Sequence, residues 1–395
     1  MDDAWENLPH HIIIKVYHYL PLQSRYHASL VCSSWNDLFT APELWQTYHV
    51  KFYQQSDKRH LVGLQKYGVY MKKIRIELDQ SIKSNRENAI AAIHQLAVLE
   101  KRRITEFTLK FTAENPLFYS GKEFIDALLV FFGPPPNDVT VVSPLKCVDL
   151  SGLQATLNSA LIDQISANNL YIEKLNIQNG ALICTISSEC CVRLVQRCRN
   201  LQVFHVPSCS VSEGVLSSFT ENDRQQLNFL SIRYGREEKF LPKISSEVWR
   251  AVTKKNPNLS VMQYIDSTCP RHSISKILDP AIPVLELWLE SFTNIHDEID
   301  LAATYYAKTL HKFVLHTRRC KEVNNAVLNL ATKCHKLRSL HVFCVLEKDT
   351  VDIILTIHPK MKERNAFTLK WTPEPFPWDI GVDCVGDYPK SLNFQ

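Results

Sequence analysis

Adjacent Cys190-Cys191, the pair Cys334-His335 and the stretch "GLQKYGVY" at 63–70 are the places where residue type and spacing could signal chemistry. A structural zinc site needs two close pairs of thiolate or imidazole ligands. The twelve cysteines never give C-x-x-C, and Cys334-His335 has no matching pair. They read as small buried hydrophobes. A phosphate loop needs lysine after its second glycine, whereas Val69 follows Gly68. No G-x-G, G-x-S-x-G or H-E-x-x-H occurs in the chain. The expectation is therefore a binding protein without catalytic residues, metal or cofactor.

Composition narrows the class of partner. The 395 residues carry 45 basic and 41 acidic side chains, a net charge of +4. That balance argues against nucleic acid or an anionic membrane as the main ligand. Lys101-Arg102-Arg103 and Arg318-Arg319 read as solvated faces. The acidic start "MDDAWEN" runs into a helix pattern and is not expected to be a signal or transit peptide. The longest apolar run, "ALLVFF" at 127–132, is far short of the roughly 20 residues that span a bilayer. Twelve cysteines without a leader suggest reduced thiols, in the cytoplasm or nucleus.

The first forty residues pose a packing question. Asn7 suits an N-cap and Pro9 the first helical turn. Ile12, Ile13, Val16, Tyr17 and Leu20 follow at helical spacing, and Pro21 ends the helix. A second helix is expected from about Ser24, with Val31, Trp35 and Leu38 on one face. "APELW" at 41–45 reads as a further short turn. Three such helices bury one face mutually and leave another for a partner.

Leu8-Pro9, Ile12-Ile13, Val16, Leu20, Val31-Cys32, Trp35 and Leu44-Trp45 stand in the order and at the spacing of the F-box, which this segment resembles across its length. The resemblance implies docking on a Skp-type adaptor, and through it on a cullin and a RING subunit. It implies that Leu8, Pro9, Ile12, Ile13, Val16, Leu20, Leu30, Val31, Cys32 and Trp35 supply the adaptor interface and its supporting core. Residues 4–50 also look like those of the receptors that bind cryptochrome. Those receptors end in a terminal tryptophan, whereas this chain ends "SLNFQ".

From residue 71 a pattern recurs with apolar positions 1, 4 and 6, in "MKKIRI", "ITEFTL", "LKCVDL", "IEKLNI", "LQVFHV", "LNFLSI", "LSVMQY", "VLELWL", "LHKFVL" and "LRSLHV". After residue 145 the starts are spaced mostly by 26 to 29 residues, with helix-like segments such as "SSECCVRLVQRCRN" between them, several opening on serine caps. A short strand plus a helix at this period resembles the leucine-rich repeat, with Cys209 at the position that takes Asn or Cys. The expected fold is α/β: a three-helix F-box at 1–50, a linker or helical cap at 51–70, ten or eleven degenerate repeats at 71–370, and a tail at 371–395. The repeats would stack into a curved solenoid, parallel strands concave and helices convex. "FFGPPPND" at 131–138 reads as a loop lengthening one repeat. In the tail, Trp371, Phe376 and Trp378 are expected to cap the last repeat.

On that register the outward row of the concave sheet holds Cys147, Asp149, Lys174, Asn176, His205, Phe229, Arg233, Gln263, Glu286, Trp288, Glu290, Lys312, His316, His341 and Phe343. Aromatic anchors among both charge signs suit a protein ligand, so His205, Phe229, Glu286, Trp288, Glu290, His341 and Phe343 are the candidate substrate residues. The functional expectation is the substrate receptor of an SCF-type cullin-RING ubiquitin ligase, presenting a protein for ubiquitylation. The alternative is an interaction scaffold that uses the F-box for assembly without ubiquitylation.

Overall fold

Proline and β-branched residues decide where the first helices break. The computed structural model describes residues 8–100, 102–113, 121–134, 144–181 and 183–370. Asn7, Lys101, positions 135–138 of the proline loop, and the tail with Trp371, Phe376 and Trp378 lie outside the described residues. Helix α1 is His10–Tyr19, α2 is Leu22–Ser29 and α3 is Ser33–Phe39. Pro9, expected inside the first turn, stands one residue before it. Its ψ of 138° is extended, and its carbonyl accepts from the Ile12 N–H at 2.8 Å. The single helix expected over 24–38 is two. Leu30 closes α2, and Cys32 is extended at φ −156° and ψ 168° before α3. Val31-Cys32-Ser33-Ser34 combines a stiff β-branched residue with side chains that favour caps, a poor helix interior. Val31 therefore leaves the face it was expected to share with Trp35 and Leu38.

A tight turn at Pro42–Trp45 leads into β1, Thr47–Phe52, which runs across the boundary expected at 50/51. Its residues alternate exposed and buried without exception. That is a strand signal the L-x-x-L-x-L search does not register. The first compact unit, residues 1–261, continues with α4 (Arg59–Tyr67), β2 (Lys73–Leu78), α5 (Lys83–Ala97), β3 (Glu106–Phe111), α6 (Lys122–Phe131) and β4 (Cys147–Asp149). Then follow α7 (Ser159–Asn168), β5 (Lys174–Asn176), α8 (Ser188–Arg197), β6 (Val203–Pro207), α9 (Glu213–Ser218), β7 (Phe229–Tyr234) and α10 (Ser246–Lys255). Strand β8 (Ser260–Ile265) carries the chain into the second unit, 262–395. There α11 (Arg271–Ile277), β9 (Val284–Glu290), α12 (His296–Tyr305), β10 (Lys312–His316), α13 (Lys321–Lys333), β11 (Ser339–Val345), α14 (Lys348–Ile357), α15 (Pro359–Glu363) and β12 (Phe367–Lys370) complete the described chain.

Within the first unit β1 to β7 pair in chain order, all parallel: Thr47 lies beside Lys73, Lys73 beside Glu106, and Cys147, Lys174, Val203 and Phe229 form one line. In the second unit β9 to β12 do the same, with Glu286, Lys312 and Ser339 in line. Parallel neighbours need a crossover connection, and the helices from α4 onward supply them, α14 and α15 together making the last. All ten apolar triplets fall on strands, and the expected order of an F-box followed by strand–helix repeats is the order observed. In nine of the ten triplets positions 4 and 6 are the buried residues that face the helices, such as Leu175, Phe204, Leu287, Leu289, Phe313 and Leu315. In "LSVMQY" the register slips by one: Val261, Gln263 and Ile265 are fully buried and Tyr264 is not. Gln263, expected on the outward row, instead bonds the Ile277 carbonyl and the Tyr306 hydroxyl inside. No helix among the described residues is long and apolar enough to cross a membrane.

Two small devices recur from repeat to repeat. Carboxylate or amide side chains at strand ends bond the backbone two residues on: Asp79 accepts from the Ser81 N–H, Asp149 from Ser151, Asn176 from Gln178 and Asp266 from Thr268. These are Asx turns, which swing the chain out of the sheet. The other device closes the helices. Asn169, Cys198, Asn256, Cys334 and His358 all follow the last helical residue in nearly the same backbone conformation, ψ 65–75°, and all are buried. The Cys198 thiol reaches the Asn169 carbonyl at 3.7 Å, Asn256 Nδ2 the Phe219 carbonyl at 3.3 Å, and His358 Nε2 the Ala331 carbonyl at 2.8 Å. Each thereby satisfies a carbonyl of the preceding helix's end, which that helix cannot pair itself.

The serine caps are a mixed outcome. Ser187 accepts from the Cys190 N–H at 3.2 Å, but Ser245 makes no such bond, and α13 is capped by the Cys320 sulfur. At the position that takes Asn or Cys, the Cys209 thiol lies 3.9 Å from the Ser210 hydroxyl and not on a backbone carbonyl. The neighbouring Ser210 makes the backbone bond, donating to the Ile186 carbonyl at 2.9 Å from a fully buried position. Phe131 and Phe132, expected in a loop, are buried, Phe131 as the last residue of α6.

Candidate functional site

Ile13, Tyr17, Trp35, Leu44 and Trp45 are the buried centre of the N-terminal helices. Full burial of side chains like these contributes roughly 1.5–3 kcal/mol each. Tyr17 packs edge-on to Trp35 at 5.5 Å and donates its hydroxyl proton to the Trp35 carbonyl at 2.7 Å, pinning α1 to α3. Burial, with the Cys32 thiol adding to it, pushes this phenol up to about 12, so it remains a donor at any physiological pH. The Arg25 guanidinium ties the two ends of the segment, donating to the carbonyls of Leu20 at 2.9 Å and Leu44 at 3.1 Å. Phe39 lies against Tyr17, Tyr26 and Trp45, and Trp45 stacks on Tyr67 of α4 at 3.8 Å. The three helices are thus fastened to the first repeat by an aromatic joint instead of a linker.

The residues assigned to the adaptor interface fall into three groups. Ile13 and Trp35 are core and support the surface from below. Leu8, Ile12, Val16, Leu20 and Cys32 are half-buried, so each keeps some exposed area. Pro9, Leu30 and Val31 face solvent, Leu30 at 64% and Val31 at 71%. The break between α2 and α3 explains the last two: a turn, not a packed helix face, presents them. Tyr19, 88% exposed at the end of α1, and Tyr26 add large apolar surface that the i, i+3, i+4 stripe passes over. Arg25 was also missed, since its role rests on two carbonyls that no spacing rule reveals.

The second candidate surface, the expected outward row, is more closely packed than its alternation alone implies. Glu286, Phe229, His341 and Phe343 are half-buried, but His205, Trp288 and Glu290 are buried. Neighbouring parallel strands lie close to 4.8 Å apart, so side chains on one face pack on one another in register and on the diagonal. Lys312 Nζ sits 4.8 Å above the Trp288 ring and 3.7 Å from Glu286, and Tyr264 meets Trp288 edge-on and donates to Glu290 at 3.2 Å. His316 stacks on Phe343 at 4.0 Å, His341 bonds Ser339 and Thr368, and His205 lies 5.4 Å from Phe229. Asp149 and Asn176 are turn formers, and burial raises the Asp149 carboxyl despite its bonds to Ser151.

Burial lowers His205 to about 4 from the usual 6.5. A histidine depressed in the folded state binds fewer protons there than in the unfolded chain. Its contribution to stability is complete above about 6.5 and is lost as pH falls toward about 4. Unfolding free energy of the full chain, measured by denaturant titration across that window, is expected to fall with a slope of up to one proton. His205→Asn is expected to flatten that component, and an unchanged slope would place the proton uptake elsewhere.

Comparison with known proteins gives concordant results. Residues 5–51 match a family described as F-box-like. The chain is 26% identical to F-box/LRR-repeat protein 8 of Homo sapiens over 381 residues, covering 96% of this chain and 98% of that protein. The Mus musculus protein of the same name is 24% identical at the same coverage. F-box/LRR-repeat protein 21 of Bos taurus is 25% identical over 278 residues, 66% of this chain and 59% of that one.

Proposed function

We propose that this chain is the substrate-recognition subunit of an SCF-type ubiquitin ligase and performs no chemistry of its own. The observation that carries the reading is the pair Leu30 and Val31. Two large apolar side chains stand in solvent beside a helical core that is already complete without them. An F-box match over the same residues and full-length similarity to F-box/LRR-repeat proteins supply the partner: a Skp-type adaptor, with cullin and RING subunit reached through it. The repeats would hold a protein substrate, with half-buried Phe229, Glu286, His341 and Phe343 the accessible members of the row and His205, Trp288 and Glu290 packed beneath. The mechanism is proximity: tethering raises the local concentration of a target at a charged ubiquitin-conjugating enzyme. Its twelve cysteines, read as reduced thiols, favour the cytoplasm or nucleus as the setting. The likeness to cryptochrome-binding receptors concerns 4–50, the adaptor-facing part, so the substrate is carried here no further than "a protein".

Affinity capture of the full chain is expected to recover adaptor, cullin and RING subunit together; adaptor without cullin would favour a scaffold. Leu30→Glu combined with Val31→Glu is expected to weaken adaptor binding at least about tenfold. Stability should stay within about 0.5 kcal/mol, because both side chains already face water. Wild-type affinity in that variant, read by calorimetry with purified adaptor, would remove these residues from the interface.

A further inference from the structure

In the second unit an open-mouthed cavity of about 650 Å³ lies beside the end of α13, the entry to β11 and the α14–α15 junction. His311, His335, Lys336, Arg338, Lys360 and Arg364 line it, and no aspartate or glutamate does. The lysines and arginines make no ion pair with any described residue. Buried Leu337 and Met361 contribute apolar lining.

Repeat stacking explains how these charges meet. His311 and Arg338 each immediately precede a strand, and the Arg338 N–H donates to the His311 carbonyl at 2.7 Å, one repeat apart. The His311 ring is held by the Thr309 carbonyl at 2.7 Å, and lining residue His358 by that of Ala331. Lysines and arginines lining one concave space without a carboxylate among them repel one another, and a cleft focuses their field on whatever enters it. Guanidinium forks match phosphate oxygens in pairs. The volume is that of a site for a small molecule or a single modified side chain.

We propose that this cavity binds a multiply charged, phosphate-bearing anion. The site goes beyond the ligase reading and does not depend on it: adaptor capture involves the other unit, and its failure would leave this proposal standing. The phosphates can arrive on a free small molecule or on a phosphorylated protein segment, and the test separates the two.

Full-length chain is titrated calorimetrically at physiological ionic strength with inorganic triphosphate, with a peptide carrying two adjacent phosphoserines, and with the unphosphorylated peptide. Saturable one-to-one binding of triphosphate or of the phosphopeptide is expected, and none of the unmodified peptide; the tighter of the two phosphate probes identifies the source. Arg338→Gln with Arg364→Gln is expected to weaken that binding at least about tenfold. Both side chains are exposed, so the fold should persist. Lys336→Gln with Lys360→Gln gives an independent reading, with the same expected loss. Absence of binding by both phosphate probes, or wild-type affinity in both folded variants, overturns the proposal.

Discussion

Trp45→Ala is expected to cost about 3–5 kcal/mol, the range for removing a buried tryptophan from a packed site. The indole touches three aromatic neighbours at once: it stacks on Tyr67 at 3.8 Å and 9°, meets Phe39 edge-on at 5.3 Å and lies 5.8 Å from Tyr48. Its Nε1–H donates to the Phe39 carbonyl at 2.8 Å. Phe39 belongs to α3, Tyr48 to β1 and Tyr67 to α4, so one side chain joins the helical segment to the first strand and helix of the repeats. The alanine variant therefore has a distinctive signature in hydrogen exchange. Amides of α1 to α3 and of β1 and α4 should lose protection together. If only 10–45 loosened while β1 stayed protected, the joint would not couple the two parts. Trp45→Phe restores the stacking but strands the Phe39 carbonyl, and is expected to cost only about 1–2 kcal/mol. Under the proposed function the coupling matters because a tethered substrate is useful only if its distance from the adaptor is fixed.

What was legible in the sequence follows from how local each signal is. Leu175, Phe204 and Phe313 announce their strands because L-x-x-L-x-L is written within six residues and repeated. Leu8-Pro9 and Trp35 are legible for the same reason. Thr47–Phe52 carries a different signal, strict alternation over six residues, which L-x-x-L-x-L does not contain. Trp288 and His205 were placed on the right row but given the wrong surroundings. Burial there comes from side chains of neighbouring strands, Lys312 and Phe229 on the diagonal and Tyr264 edge-on, each about one repeat away, and no window shorter than a repeat contains them. The basic cavity is hidden more deeply still. His311, Arg338 and Arg364 belong to three separate segments, none of which is a charge run of the kind seen at Arg318-Arg319.

The residues that close the helices carry the other large effect. Asn256→Ala is expected to cost about 3–4 kcal/mol, because one amide serves three backbone groups. Its Oδ1 accepts from the buried Leu227 N–H at 2.8 Å, and its Nδ2 donates to the carbonyls of Val252 at 2.9 Å and Phe219 at 3.3 Å. Each buried group left without a partner costs roughly 1–3 kcal/mol. The position also predicts its own partial rescue. Cys198 and Cys334 occupy the equivalent place after α8 and α13, and the Cys198 thiol bonds the preceding repeat's carbonyl as Asn256 does. Asn256→Cys should recover part of the loss: a thiol fits the space and reaches one carbonyl, but it is a weak acceptor for the Leu227 N–H. Asn256→Asp, which keeps that acceptor but buries a charge and loses both donors, should be worse than alanine. Denaturant unfolding ranks the variants, and exchange at the Leu227 amide should accelerate in the alanine and cysteine forms while staying slow in wild type. If cysteine proved as costly as alanine, asparagine and thiol would not be interchangeable here. The recurrence of Asn169, Cys198, Asn256, Cys334 and His358 would then reflect only the shared backbone conformation, with each side chain bonded independently of its place in the repeat.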